Sequence, residues 1–326
     1  MSSRALIADL TELGGAGLVV TELGRDAPPL APTTGAVQLG VHRGGPVPGG
    51  SLEPFDILLS TDPAAPGPWV GVAPERLNAV VADLQAAVAR QPVAAAACAQ
   101  VLRMTLTLPF DQALALESLA YSMLLASDGF RGWRAANPPR ERPDDGAPRV
   151  KLAVGREIVI RLTRPAARNA FDARMRDELS EALSFAVDHP DALPVSLSGE
   201  GPAFSAGGDL DEFGRADDPG RAHLIRTLRS PARLAHELEG RLTVHLHGAC
   251  VGAGIEVPAA AGRVTARPGA MFRLPEVSMG LIPGAGGTAT IPRRVGRRRA
   301  AYMAISGAEI DLATALAWGL VDGVEV

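Results

Sequence analysis

The chain has 326 residues, of which 47% are hydrophobic and 21% charged, and its formal net charge at pH 7 is −4. This composition is typical of a globular protein with a large core, and the slightly acidic balance excludes the basic field that nucleic-acid binding requires. Aromatic residues make up only 4% of the chain, which is too few for platforms that stack bases.

Neither a metal site nor a membrane segment is predicted. Two cysteines, Cys98 and Cys250, cannot form a disulfide framework, and the six histidines lack the spacing of zinc ligands. The first residues, MSSRALIADLTELGG, carry acidic side chains where a signal peptide needs an apolar run. Because no stretch reaches the roughly 18 uninterrupted apolar residues of a membrane span, we expect a cytosolic protein without membrane association.

Residues 1–68 form the first segment of the chain. They contain three short strand-like runs, at 17–21, 37–41 and 55–59, separated by loops rich in Pro and Gly. No chemistry can be assigned to this segment, so its role is unknown.

Residues 69–136 are predicted to be helical. Apolar residues recur there at helical spacing, which predicts helices at 74–90, 93–102 and 110–125. The following residues, 137–148, are rich in Pro and in charge, and this composition predicts a linker.

From residue 149 the pattern changes to alternating strands and helices. Strands are predicted at 158–162, 194–197 and 243–246, with a helix at 175–187. This alternation indicates crossover units and therefore an α/β fold with a partly parallel sheet.

Two glutamates, Glu256 and Glu276, lie in one dense run between His247 and Gly296. Each is embedded in an apolar or Gly-rich setting, where an unpaired charge would be costly. Such a pair is most readily explained by acid–base chemistry, because a buried environment tunes carboxyl groups for proton transfer.

Three further segments accompany this run: residues 163–171 (TRPAARNAF), residues 199–213 (GEGPAFSAGGDLDEF) and residues 315–322 (ALAWGLVD). Together the four segments resemble the crotonase superfamily, the enoyl-CoA hydratases and isomerases, over about half of the chain. The resemblance implies a crotonase-like, (ββα)-type spiral core at 149–326 with a site for a CoA thioester. It also implies trimers or pairs of trimers, and no cofactor other than the coenzyme A of the substrate.

The order of the segments departs from the family pattern. Crotonase-like chains continue past the Gly-Leu-Val-Asp motif with several helices, whereas this sequence stops at Val326. Residues 69–136 resemble those helices, so we hypothesise a circular permutation joined by the 137–148 linker. The alternative is that residues 1–148 form an unrelated helical domain.

The resemblance assigns roles in the site. The backbone N–H groups of Gly208 and Ala253 would form an oxyanion hole for the thioester, where negative charge develops. Glu256 would activate water for the β-carbon and Glu276 would protonate the α-carbon, and two such neighbours should titrate as a coupled pair. Asp209 is expected to cap a following helix rather than to act in catalysis.

Further contacts with the substrate are expected from two loops and one glycine turn. Gly284 belongs to the 283–288 turn, which we interpret as shaping the acyl pocket. The expected substrate or CoA contacts are Arg168, Asn169, Ala170, Ser205, Ala206, Gly207 and Gly284.

The leading interpretation is an enoyl-CoA hydratase, because both hydratase glutamates are matched. Another crotonase reaction is the first alternative: double-bond isomerisation, thioester hydrolysis or decarboxylation. The second alternative is a non-catalytic protein with the same fold that binds ligands or RNA.

Overall fold

The computed structural model describes residues 17–24, 35–45, 51–141 and 146–325. The helices of these residues are α1 (Leu77–Arg90), α2 (Pro92–Thr105), α3 (Phe110–Leu125), α4 (Asp128–Ala136), α5 (Ala173–Asp188), α6 (Pro219–Leu228), α7 (Pro231–Glu237), α8 (Ala253–Glu256), α9 (Gly287–Val295), α10 (Arg297–Ser306) and α11 (Leu312–Trp318). The strands are β1 (Leu18–Glu22), β2 (Val37–His42), β3 (Ile57–Ser60), β4 (Val70–Gly71), β5 (Val150–Val154), β6 (Ile158–Leu162), β7 (Val195–Gly199), β8 (Leu242–Leu246), β9 (Ala249–Val251), β10 (Arg263–Ala266), β11 (Met271–Arg273), β12 (Ile310–Asp311) and β13 (Gly323–Val324).

A six-stranded sheet forms the centre of the fold, in the order β13-β10-β8-β7-β6-β5. Its pairs are parallel except for β5, which runs antiparallel to β6. Helix α5 connects β6 to β7, and the Asp172 side chain caps it by accepting the Met175 N–H at 2.7 Å. The predicted α/β core with a partly parallel sheet is therefore confirmed.

A second, three-stranded sheet lies beside the first, in the order β12-β11-β9. Strands β9 and β11 are parallel neighbours, and each is followed closely by one of the two glutamates. Helix α8, which carries Glu256, begins two residues after β9, and Glu276 follows β11 by three residues. The parallel pairing thus brings two carboxylates that are distant in sequence to the same end of one small sheet.

The three strand-like runs near the N-terminus form β1, β2 and β3, which belong to a four-stranded parallel sheet with the order β1-β2-β3-β4. Strand β4 lies in residues 69–136, the predicted helical segment, yet it pairs with β3. The predicted boundary between residues 68 and 69 therefore falls within this sheet.

Helices α1 to α3 pack against the rest of the molecule rather than forming a core of their own. Helices α2 and α3 contact α9, and α1 and α2 contact α10. Leu84 and Val101 belong to the same buried cluster as Leu183, Ile291 and Met303. The described part of the 137–148 linker contains no helix or strand. In the parts of the chain that the structure describes, no helix is long and apolar enough to cross a membrane.

Candidate active site

One cavity, of about 570 Å³, opens between helices α3 and α6 and the Gly-rich turn before α9. Its walls contain five of the residues predicted for the site: Gly208, Ala253, Glu256, Glu276 and Gly284. Residues from four separate parts of the sequence thus meet at one concave surface, as a binding site for a small molecule requires.

The two predicted N–H donors lie on neighbouring backbone segments. Ser205 N–H donates to the Ala249 carbonyl at 3.2 Å, and Val251 N–H donates back to the Ser205 carbonyl at 3.0 Å. Gly207 makes this close approach possible, since its φ is +90° and a Cβ there would lie 2.7 Å from the Val251 oxygen.

The donors themselves are unoccupied. Among the described residues, neither the Gly208 N–H nor the Ala253 N–H donates a hydrogen bond to the protein, and both residues line the cavity. Two free donors at one concave surface can bind an oxygen atom on which negative charge develops.

Glu256 is held by the turn that precedes α9. Its Oε2 accepts hydrogen bonds from Ala285 N–H at 2.7 Å and from Gly287 N–H at 2.9 Å. Burial raises the pKa of Glu256 to about 7, although these hydrogen bonds oppose the effect. Gly287 has to be small, because a Cβ there would lie 2.8 Å from Glu256 Oε2.

Glu276 lines the same cavity as Glu256, but its Oε2 lacks hydrogen bonds of this kind within the described residues. It is 7% exposed, and its Oε2 has no hydrogen-bond partner among the described residues. Burial, followed by the charge of Glu256, raises the pKa of Glu276 well above its ordinary value. A Cβ at Gly252 would overlap Glu276 Oε1 and lie 3.6 Å from Glu256 Oε1, so an oxygen of each carboxyl group reaches this glycine.

Comparison with known proteins identifies the family of the chain. A family model described as enoyl-CoA hydratase/isomerase matches residues 156–325. The chain belongs to the enoyl-CoA hydratase/isomerase family. The predicted crotonase superfamily is thereby confirmed, and the match covers the whole of the described site except the helices that precede residue 156.

Individual relatives are about one-third identical, over the aligned residues, to this member of the enoyl-CoA hydratase/isomerase family. YhaR of Bacillus subtilis (strain 168) is 32% identical over 163 residues, which cover 50% of this chain and 64% of YhaR. The 2,3-dehydroadipyl-CoA hydratase of Escherichia coli (strain K12) is 34% identical over 174 residues, 52% of this chain and 66% of that protein. The matched part of the chain thus spans less than two thirds of the length of each of these relatives.

A solved structure shows the same fold. The crystal structure of an enoyl-CoA hydratase from Thermoplasma volcanium GSS1 superposes with a TM-score of 0.51 and 32% identity, over 55% of this chain and 73% of that one. The crotonase-like α/β fold predicted from the sequence is therefore confirmed.

Glu117 is a further buried carboxylate in the cavity wall, and it was not predicted as a site residue. It lies on α3, three residues after the buried Leu114, and hence on the helix face that packs inward. Burial, with the charge of Glu256 added, raises the pKa of Glu117 to about 8, while hydrogen bonds from Thr288 and Gly286 lower it. A glutamate on the apolar stripe of a helix was the signal available in the sequence.

Six of the predicted substrate contacts do not line the cavity: Arg168, Asn169, Ala170, Ser205, Ala206 and Gly207. Asn169 is fully buried, and its side-chain amide donates to the carbonyls of Glu200 at 2.8 Å and of Ala203 and Phe204 at 3.0 Å. Ser205 is also fully buried and donates to the Asn169 carbonyl at 2.8 Å. The side chains of Asn169 and Ser205 therefore fix the loops beside the cavity and are not exposed to a ligand.

Asp209 does not cap a helix as the sequence suggested, because residues 210–214 form turns. Its carboxylate instead pairs with the guanidinium of Arg164 at 2.8 Å and accepts the Asp211 N–H at 3.1 Å. Among the described residues no group of three or more His, Cys, Asp or Glu side chains could hold a metal ion.

Proposed function

We propose that this protein is an enoyl-CoA hydratase, which adds water across the 2,3 double bond of a 2-enoyl-CoA. The observation that carries the proposal is the pair of buried carboxylates, Glu256 and Glu276, in one cavity with two unoccupied backbone N–H donors. Relatives named as hydratases support it, among them the Escherichia coli protein and the cyclohexa-1,5-dienecarbonyl-CoA hydratase of Thauera aromatica.

Each of these groups has one role in the proposed reaction. The thioester oxygen binds to the N–H groups of Gly208 and Ala253, which stabilise the enolate that forms. Glu256, in its ionised form, takes a proton from water as the water oxygen bonds to the β-carbon. Glu276, in its protonated form, gives its proton to the α-carbon. Transfer of the proton from Glu256 to Glu276 then restores both groups.

The pKa values suit this division of roles. Glu256 accepts two N–H hydrogen bonds and has a pKa of about 7, so a large fraction is ionised at neutral pH. Glu276 accepts none at Oε2 from the described residues, and burial raises its pKa well above the ordinary value, which favours its protonated form. One base and one acid therefore coexist at the same pH.

The coenzyme A part of the substrate is assigned to the edge of the cavity beside Phe171 and Gly208. The 168–171 and 205–209 segments pair there through Ala206 N–H to the Arg168 carbonyl and Phe171 N–H to the Gly207 carbonyl. Arg168 is exposed on this edge and is our candidate for a phosphate contact.

The test is the hydration of crotonyl-CoA, followed by the loss of enoyl-thioester absorbance, for the wild type, Glu256→Gln and Glu276→Gln. We expect each substitution to lower kcat by at least roughly 100-fold, because a positioned acid or base contributes about that much. Glu237→Gln, on the surface of α7, is the matched control and should behave like the wild type. A wild type that binds CoA esters but leaves crotonyl-CoA unchanged would contradict the proposal for this substrate.

The same assay separates the alternatives. Hydration in ¹⁸O-labelled water places the label on the 3-hydroxyacyl product, whereas isomerisation incorporates none. Hydrolysis of the thioester releases a free CoA thiol. Decarboxylation is tested with an acyl-CoA that carries a free carboxylate, and it releases carbon dioxide. Binding without turnover would identify a non-catalytic member of the family. The expected trimer or hexamer and the cytosolic location stay predictions, of which light scattering tests the first.

A further inference from the structure

The turn at residues 285–288, whose last two residues begin α9, is shared by two carboxylates from distant parts of the chain. Its four successive N–H groups alternate: Ala285 and Gly287 donate to Glu256, at 2.7 and 2.9 Å, while Gly286 and Thr288 donate to Glu117, both at 2.7 Å. One face of the turn therefore binds Glu256, and the opposite face binds helix α3.

The contacts of Glu117 are directed to this turn. Besides the two N–H groups, the Thr288 hydroxyl donates to Glu117 Oε2 at 2.7 Å. Within the described residues, Glu117 has no ion pair with Lys, Arg or His. The side chain is 2% exposed and Thr288 is 1% exposed, so water does not compete for these bonds. Thr105 on α2 also holds the turn, because its hydroxyl donates a hydrogen bond to the Thr288 carbonyl at 2.7 Å.

The turn needs such anchors because it is built from glycines. Gly286 has a φ of +108°, and Gly287 lies so close to Glu256 that a Cβ would overlap it. Neither glycine can therefore be replaced by a residue that would restrict the backbone. Without an acceptor at position 117, the N–H groups of Gly286 and Thr288 would be buried and unsatisfied, which is costly. The turn would then shift, and the two donors to Glu256 would move with it.

We propose that Glu117 is a positioning residue for Glu256: it anchors the 285–288 turn and thereby fixes the carboxylate that activates water. The proposal rests on the hydratase function proposed above. Glu117 need not touch the reacting atoms, since its effect passes through the backbone of the turn.

Two substitutions separate anchoring from charge. Glu117→Asp keeps the carboxyl group but is shorter by one methylene, so it cannot reach all three donors. Glu117→Gln keeps the length but removes the charge and presents an NH₂ group to Thr288. If Glu117 anchors the turn, both variants lower kcat on crotonyl-CoA by roughly 10- to 100-fold, since small misplacements of reacting groups have effects of that size. KM should change by less than about threefold.

The pH profile provides the second readout. The N–H bonds from the turn lower the pKa of Glu256, so weakening them in Glu117→Asp should move the acid limb of kcat/KM to higher pH. Ser118→Ala is the control, because Ser118 is buried on the same helix but contacts His223 and Arg226 instead of the turn. Its acid limb should coincide with that of the wild type.

A Glu117→Asp variant with wild-type kcat and pH profile would overturn the proposal, because charge alone would then account for any effect of Glu117→Gln. A loss of thermal stability with unchanged kcat in the folded fraction would also overturn it. Should the wild type itself not hydrate enoyl-CoA, the pKa of Glu256 can still be measured by ¹³C NMR titration of labelled protein. A Glu256 pKa that is higher in Glu117→Asp than in the wild type supports anchoring, and equal values refute it.

Discussion

At the scale of single residues, the proposed oxyanion hole consists of backbone rather than side chains. Among the described residues, the N–H groups of Gly208 and Ala253 have no acceptor in the protein, and both residues line the cavity. A backbone donor cannot be removed by truncating a side chain, but proline removes it. Ala253 is the first residue of α8, and proline is tolerated at the first position of a helix.

Ala253→Pro should therefore keep the fold and lose one donor to the enolate. We expect kcat on crotonyl-CoA to fall by about 100- to 1,000-fold, or about 3 to 4 kcal/mol, as for the loss of one donor in other oxyanion holes. Ala253→Gly retains the N–H and is the matched control. If the proline variant is folded by circular dichroism and turns over at the rate of the glycine variant, Ala253 N–H does not stabilise the transition state.

The four groups of the proposed site were predicted from the sequence, whereas the residues that hold them in place were not. Glu256, Glu276, Gly208 and Ala253 each lie in a local motif, and short-range sequence determines their backbone. Glu117 hydrogen bonds to residues 169 and 171 positions away, so only the folded chain reveals its role. Asn169 likewise was expected to contact the substrate, but three carbonyls some 31 to 35 residues downstream occupy its amide.

At the scale of elements, the sequence pattern identified the four longest helices of the described residues and six of their strands, but not β5. Helix α3 was predicted with its observed bounds because its apolar residues are numerous and its length is ordinary. Strand β5 is an edge strand whose residues after Val150 are exposed, so it lacks the alternation of buried and exposed positions that marks a strand. Its position is set by pairing with β6, which is a tertiary effect.

The packing of α1–α3 on α9 and α10 supports the permutation that we propose for residues 69–136. If the connection across residues 137–148 is only a linker, cutting it should not disturb the site. We expect a protein with a protease sequence inserted between residues 141 and 146 to stay associated after cleavage. Its kcat should remain within about twofold of the uncut protein, because the shared core holds both pieces.

Residues 149–326 expressed alone provide the complementary test. They lack the helices that cover α9 and α10, so we expect no cooperative unfolding transition. Separation of the cleaved pieces on gel filtration, or a cooperatively folded 149–326 fragment, would indicate that residues 1–148 are an independent domain.

At the scale of the whole molecule, three buried carboxyl groups make stability depend on pH. The pKa values of Glu117, Glu256 and Glu276 are raised in the folded state, to about 8, about 7 and well above the ordinary value respectively. A group whose pKa is higher in the folded state than in the unfolded state contributes its full stabilisation at pH values below its unfolded pKa. This contribution is lost as the pH rises through the folded pKa. Each tenfold difference in proton affinity is worth about 1.4 kcal/mol.

The free energy of unfolding should therefore fall as pH rises from about 5 to about 9. Urea denaturation at several pH values across this range measures the slope. The Glu256→Gln/Glu276→Gln double variant cannot ionise at these positions, so its stability should decline less steeply. An equal slope in both proteins would show that the buried carboxyl groups do not govern the pH dependence.

The hydrogen bonds between Glu117 and the 285–288 turn also bear on how such a chain could arise. They join two pieces of protein through space, and their geometry does not depend on which piece is translated first. Transposing the corresponding gene segments would change the length of the intervening loop and leave these bonds intact. A rearranged gene could thus keep its active site from the first generation, without needing new mutations to rebuild it.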